Sequence, residues 1–156
     1  MEDKSSTQRI VSKDGLDICY WVNYNKDLTK NFVILRPASS MNRTSLQNLE
    51  QGLNKRGFPT INFDPRGTGY SKAPAKSEYF ILKAYTNDLR KIIEKQGLKK
   101  PAYISHRFGF MPIIDYVSQT SNAQDITGIC ATRKFPETFQ YKKTFPLFDK
   151  GIRYVE

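Results

Sequence analysis

The sequence has few of the residues that build metal sites, disulfides and many catalytic sites. Among 156 residues there are two cysteines and one histidine. Cys19 and Cys130 lie far apart in strand-like runs, without further cysteines or histidines at the spacing of a zinc site. We therefore predict two buried free thiols and no bound metal. A phosphate-binding glycine loop and a dinucleotide-binding fingerprint are also missing, and we expect no cofactor.

Long apolar runs are missing as well. No stretch reaches the roughly 20 apolar residues of a membrane-spanning helix, and the start MEDKSSTQ lacks the apolar core of a signal peptide. A soluble cytoplasmic protein is the expectation. The formal net charge of +10 is large, but the lysines and arginines are spread thinly and form no nucleic-acid motif. We interpret them as a solvated basic surface and expect no specific nucleic-acid partner.

The sequence does contain short apolar runs that alternate with amphipathic stretches. A hairpin turning at Asp14-Gly15 opens the pattern. Strand-like runs follow at 31–37, 58–64, 101–105 and 126–132, and helical patterns at 45–56, 79–96 and 108–119. This order predicts an α/β fold with a doubly wound, mostly parallel sheet of about six strands. No linker divides the chain, so residues 1–156 are expected to form a single domain.

Three polar loops follow predicted strands, and functional groups in such sheets gather at the carboxyl ends of strands. The loops are RPASS at 36–40, DPRGTGYS at 64–71 and SHRFG at 105–109. We therefore expect any functional site to lie where these loops meet.

The segment FDPRGTGYSKAP, at 63–74, matches the D-x-R-G-x-G-x-S pattern that follows the fourth strand in α/β-hydrolases of the lipase, esterase and peptidase type. Over about 9–132 the chain resembles the amino-terminal part of such a serine hydrolase. The segment is structural in that family, and we expect Asp64 and Arg66 to tie the loop down by a salt bridge and hydrogen bonds. The match therefore argues for the fold and not for activity.

The resemblance also implies a truncated fold, since the family usually has eight strands and more than 200 residues. Residues 133–156 are interpreted as a remnant of the lid region or a tail. Their aromatics, interleaved with lysine and arginine, would also suit single-stranded nucleic acid, but the lid reading is favoured. A predicted edge strand at 126–132 leads us to expect self-association or a complementing chain.

The loop SHRFG falls where the family carries its nucleophile elbow, G-x-S-x-G. Aligning Gly109 with the second glycine places Arg107 at the nucleophile. A guanidinium cannot attack a carbonyl carbon, and the only histidine, His106, precedes this position. The resemblance implies oxyanion-hole amides at Ala38 and Phe108. No catalytic residue is therefore intact, and we expect Arg107 to adopt a relaxed helix-start conformation.

Neighbouring residues offer no replacement. Ser105 and His106 are adjacent in a strand, so their side chains should point to opposite sides. Asp125 and Asp149 have no late histidine to orient, and surface or capping roles are expected for them. Pro37, where the family has glycine after the third strand, removes a backbone donor and makes the usual oxyanion loop doubtful.

Three functional hypotheses follow. In the first, the chain is a hydrolase-fold protein that resembles ester and amide hydrolases but is inactive alone, a pseudoenzyme. In the second, it is half of a split hydrolase that another chain completes. In the third, it is an anion-binding module, in which Arg36 and Arg107 hold a carboxylate or phosphate with help from the amino-terminal end of the following helix.

Overall fold

The computed structural model of the chain describes residues 6–24, 30–76, 80–123 and 125–129. Cys130, Asp149, the end of the predicted strand at 130–132 and the predicted tail at 133–156 lie outside these residues. Among the helices of the described part, none has the length and apolarity needed to cross a membrane.

The described strands form one mixed sheet. They are β1 (Ser6–Val11), β2 (Asp17–Asn23), β3 (Val33–Arg36), β4 (Thr60–Phe63), β5 (Ala102–His106) and β6 (Asp125–Ile129), in the spatial order β1-β2-β4-β3-β5-β6. The pairs β1–β2 and β2–β4 are antiparallel, and β4–β3, β3–β5 and β5–β6 are parallel. The predicted α/β fold, with an opening hairpin and a parallel core of a six-stranded sheet, is confirmed.

Three helices cross between the strands. They are α1 (Gln47–Lys55), α2 (Leu82–Lys95) and α3 (Phe110–Thr120), and short 3₁₀ turns at Arg43–Leu46 and Arg107–Gly109 lead into α1 and α3. Gly57 and Gly97, with φ of 85° and 60°, follow the ends of α1 and α2 as predicted. The predicted start of α2 at Tyr79 is too early, because Ile81 is extended with φ −106° and ψ 154°.

Helices cover both faces of the sheet. On one face α2 and α3 pack against β2, β3, β4 and β5 through a fully buried apolar cluster that includes Leu89, Ile34 and Ile113. On the other face α1 packs through Leu49 and Leu53 around Leu35, Val33 and Leu46. Each large apolar side chain removed from water in this way contributes roughly 1.5–3 kcal/mol, so the two layers fix the strand ends.

The loop after β4 is tied down by Asp64 and Arg66, as predicted, and each uses partners from elsewhere in the chain. Asp64 accepts hydrogen bonds from the backbone N–H groups of Arg43 (2.7 Å) and Tyr70 (2.8 Å). Arg66 forms ion pairs with Asp88 of α2 at 2.8 Å and with Asp14 of the hairpin turn at 2.7 Å. The loop thereby joins the first hairpin, α1 and α2.

Candidate functional site

The turn between β5 and α3 has the geometry of a strained elbow. Arg107 has φ of 50° although it is not glycine, and it is exposed. The prediction of a relaxed Arg107 is therefore wrong. The chain passes from β5 into a helical turn within one residue, and packing on either side fixes this path whatever the side chain. A side chain in the left-handed region costs of order 1–3 kcal/mol, and such outliers concentrate at functional sites.

Gly109 shows how tightly the elbow is packed. A Cβ atom on this residue would lie 2.6 Å from the carbonyl oxygen of Pro37 and 2.8 Å from that of Arg36. Both contacts are with backbone, which cannot rotate away as a side chain can. The loop after β3 and the elbow after β5 are thus held against each other.

The two predicted oxyanion positions differ in exposure. Ala38, which follows Pro37, is 4% exposed and its carbonyl accepts a hydrogen bond from Met41 N–H at 2.9 Å. Phe108, which follows Arg107, is 67% exposed. A functional oxyanion hole formed by their amides remains a prediction.

Arg36 ends β3 and is completely buried. Its guanidinium lies over the rings of Tyr85 (5.3 Å from Cζ to the centroid) and Phe63 (5.8 Å), and Nη1 donates a hydrogen bond to Pro37 O at 2.6 Å. Burial lowers the pKa of Arg36 to about 10, so the group remains charged at neutral pH. Since Arg36 has no exposed surface and Arg107 faces solvent, the two arginines do not offer one open pocket to an external ligand in this conformation.

The side chains of Ser105 and His106 differ in burial, as expected for neighbours along a strand. Ser105 is fully buried in β5, whereas His106 is partly exposed. The hydroxyl of Ser105 has no hydrogen-bond partner in the structure. In the described part of the chain no three histidine, cysteine or carboxylate side chains come together as metal ligands would.

The salt-bridge partners of Arg66, Asp88 and Asp14, were not identified from the sequence. Nε and Nη2 of Arg66 donate to the two carboxylate oxygens of Asp88, each at 2.8 Å. Nη1 donates to Asp14, and the hydrogen bond from Arg66 is the largest cause that lowers the pKa of Asp14 to about 2. The guanidinium carbons of Arg36 and Arg66 both lie near the ring of Tyr85, 5.3 Å and 5.8 Å from its centroid. The sequence does place Asp88 and Tyr85 one turn apart on a predicted helix, which indicates a shared helix face. It does not identify the residues that this face contacts.

Neither a protein-family model nor a curated protein matches the sequence. Solved structures do match. An α/β hydrolase from Novosphingobium aromaticivorans superposes with a TM-score of 0.74 at 15% identity, over 82% of this chain and 45% of that one. An esterase from Exiguobacterium antarcticum gives 0.74 at 19%, over 87% and 50%, and epoxide hydrolase A from Mycobacterium thermoresistibile gives 0.72 at 18%, over 90% and 43%.

This chain spans half or less of the length of each of these three proteins. With identities below 20%, these superpositions establish a shared fold and do not establish a shared activity. The order of strands, the packed elbow and these superpositions agree: the chain has the fold of the amino-terminal part of an α/β-hydrolase.

Proposed function

We propose that this protein uses the hydrolase fold without hydrolysis at its elbow, and that Arg107 binds an anionic group there. The observation that supports the proposal is the strained, exposed Arg107 at the start of the turn into α3. A hydrolase tolerates the strain of its elbow because the turn exposes a nucleophilic oxygen. An arginine has no such oxygen, and its guanidinium cannot form an acyl intermediate.

The same placement favours a cation that receives an anion. The carboxyl ends of parallel strands are where ligands bind in open α/β sheets. A guanidinium forms paired hydrogen bonds with a carboxylate or phosphate. The backbone N–H groups at the start of α3 add partial positive charge on the same side. Arg107 is therefore positioned to bind a carboxylate or phosphate group presented from solvent.

Binding is tested by NMR titration of the protein with phenyl phosphate. We expect the amide resonances of residues 105–110 to shift, with a Kd weakened at least about tenfold by Arg107→Ala, since a charge-assisted hydrogen bond contributes about 1.5–3 kcal/mol. Arg56→Ala is the matched control: Arg56 is also exposed but follows α1, before the amino end of β4. Equal weakening by both variants, or shifts unaffected by Arg107→Ala, would remove the case for this site.

The absence of hydrolysis is tested separately with p-nitrophenyl acetate. We expect no turnover above the rate in buffer, for the wild type and for Arg107→Ala alike. Steady turnover that a serine-directed phosphonate abolishes would overturn this half of the proposal while leaving the binding result to stand by itself.

A further inference from the structure

The Arg36 side chain presents two hydrogen-bond donors without acceptors in a fully enclosed position. Its Nε and Nη2 atoms have no hydrogen-bond partner, and the residue has 0% exposure. Buried polar groups almost always have partners, and an orphaned guanidinium edge therefore requires an explanation. Nη1, the third nitrogen, is satisfied by the carbonyl of Pro37.

The two atoms without partners form one edge of the Arg36 guanidinium. The same edge of Arg66 is occupied and indicates what such an edge binds. Arg66, which also lies near the Tyr85 ring, uses the same pair of atoms, Nε and Nη2, to hold both oxygens of Asp88 at 2.8 Å. This side-on arrangement is a bidentate pair, in which two parallel N–H groups match two oxygens of a planar anion. Arg36 has the same pair of donors as Arg66, but no carboxylate accepts from them.

The buried charge of Arg36 also favours an anion. Arg66 is paired with two carboxylates, those of Asp88 and Asp14, whereas Arg36 forms no salt bridge with any residue that the structure describes. A buried charge is strongly unfavourable unless it is paired. A singly charged anion beside Arg36 would supply that pair.

Ser105 supplies a third polar group next to Arg36. The two residues are register partners in the parallel pair of β3 and β5, so their side chains leave the same face of the sheet. Ser105 is fully buried, and its hydroxyl is also without a partner. One buried oxyanion would satisfy the Arg36 edge and accept the Ser105 hydroxyl.

We propose that Arg36 and Ser105 bind a small planar oxyanion of the carboxylate type, held side-on by Nε and Nη2 of Arg36. Because Arg36 and Ser105 are both fully buried, formate, the smallest carboxylate, is the probe of choice. The site lies beneath the elbow, since the carbonyls of Arg36 and Pro37 contact Gly109. It is independent of the Arg107 proposal, which concerns an exposed guanidinium.

Thermal unfolding in sodium formate tests the site, with sodium gluconate at equal concentration as the control for a carboxylate too large to be enclosed. At a tenfold excess over the Kd of this site, formate should raise Tm by about 3 °C more than gluconate does, because the exposed Arg107 is open to both anions and the enclosed site only to formate. Arg36→Met should abolish the formate effect, and Ser105→Ala should weaken the Kd about fivefold. Arg56→Ala, which removes an exposed guanidinium after α1, should leave the difference between formate and gluconate unchanged. Since the exposed Arg107 is open to both anions, this difference separates failure of the enclosed site from failure of the exposed one.

A second measurement needs no variant. In the wild type, the Arg36 Nε–H resonance should move on titration with formate and stay unchanged with gluconate. A resonance that does not move overturns the proposal even if Arg36→Met fails to fold. Equal stabilisation by formate and gluconate, or a formate effect that persists in a folded Arg36→Met protein, also overturns it.

Discussion

Replacing Gly109 with alanine should separate the packing of the elbow from ordinary helix propensity. Gly109 has φ of −57°, a value that alanine adopts readily, so backbone strain is not the issue. The added Cβ would lie 2.6 Å and 2.8 Å from two backbone carbonyl oxygens, well inside van der Waals contact. Relief requires the loop after β3 and the elbow to move apart. Overpacking of this kind costs about 1–3 kcal/mol, against a gain of at most about 1 kcal/mol from replacing glycine in a helical turn.

The matched control is Gly52→Ala in the interior of α1. A Cβ there meets only Nη1 of the Arg56 side chain, at 3.6 Å, which is ordinary contact with a flexible group. We expect Gly52→Ala to stabilise the protein by about 0.5–1 kcal/mol and Gly109→Ala to destabilise it. Urea unfolding followed by circular dichroism measures both midpoints. If Gly109→Ala proved as stable as Gly52→Ala, the packed joint between the two loops would be refuted.

Three further outcomes are expected. The pKa of Asp14 is lowered to about 2 from an ordinary 3.8. Its pair with Arg66 therefore stabilises the fold above about pH 4, and this contribution is lost as the pH falls through 2. Asp14→Asn should lower the free energy of unfolding at pH 7 and make that free energy depend less steeply on pH at acid pH. Gly69→Ala should destabilise the protein, in contrast to Gly52→Ala, because Gly69 has φ of 50° and its Cβ would overlap the Asp64 carboxylate, whose Cγ is 2.5 Å away. The midpoints of urea unfolding of the two variants measure this difference. Light scattering should detect self-association, or pull-down a complementing chain, at β6, the last strand of the described part of the sheet. A monodisperse monomer without a partner would contradict this.

The sheet and its helices were predictable because hydrophobic pattern and turn residues agree along the chain. Glycines after α1 and α2 mark the helix ends, and continuous apolar runs mark the central strands, which the structure covers on both faces. The start of α2 was misplaced because Ile81 continues the apolar pattern of the helix while its backbone is extended. A pattern of side chains does not report where the first helical φ and ψ values occur.

The conformation of the elbow was not predictable from the residue at its centre. Arginine has no preference for positive φ, and the local rule therefore gave a relaxed Arg107. The structure shows φ of 50°, because contacts of Gly109 with the loop after β3 fix the turn from outside. Tertiary packing overrides the local preference at this point.

The environment of Arg36 was equally hidden. Its place after a continuous apolar run indicated a strand end, and a strand end suggested an arginine open to ligands. Burial beneath the elbow depends on Tyr85 of α2 and Phe63 of β4, which come close only in the folded sheet. Sequence spacing does not specify such contacts between elements.

We propose that the elbow keeps the shape of a nucleophile turn without a nucleophile. This proposal is tested most directly by mass spectrometry of the intact protein after incubation with a fluorophosphonate, followed by peptide mapping of residues 101–110. We predict an unmodified protein, since Arg107 cannot react and Ser105 is buried with its side chain directed away from His106. A stoichiometric phosphonyl adduct on Ser105 would contradict the account.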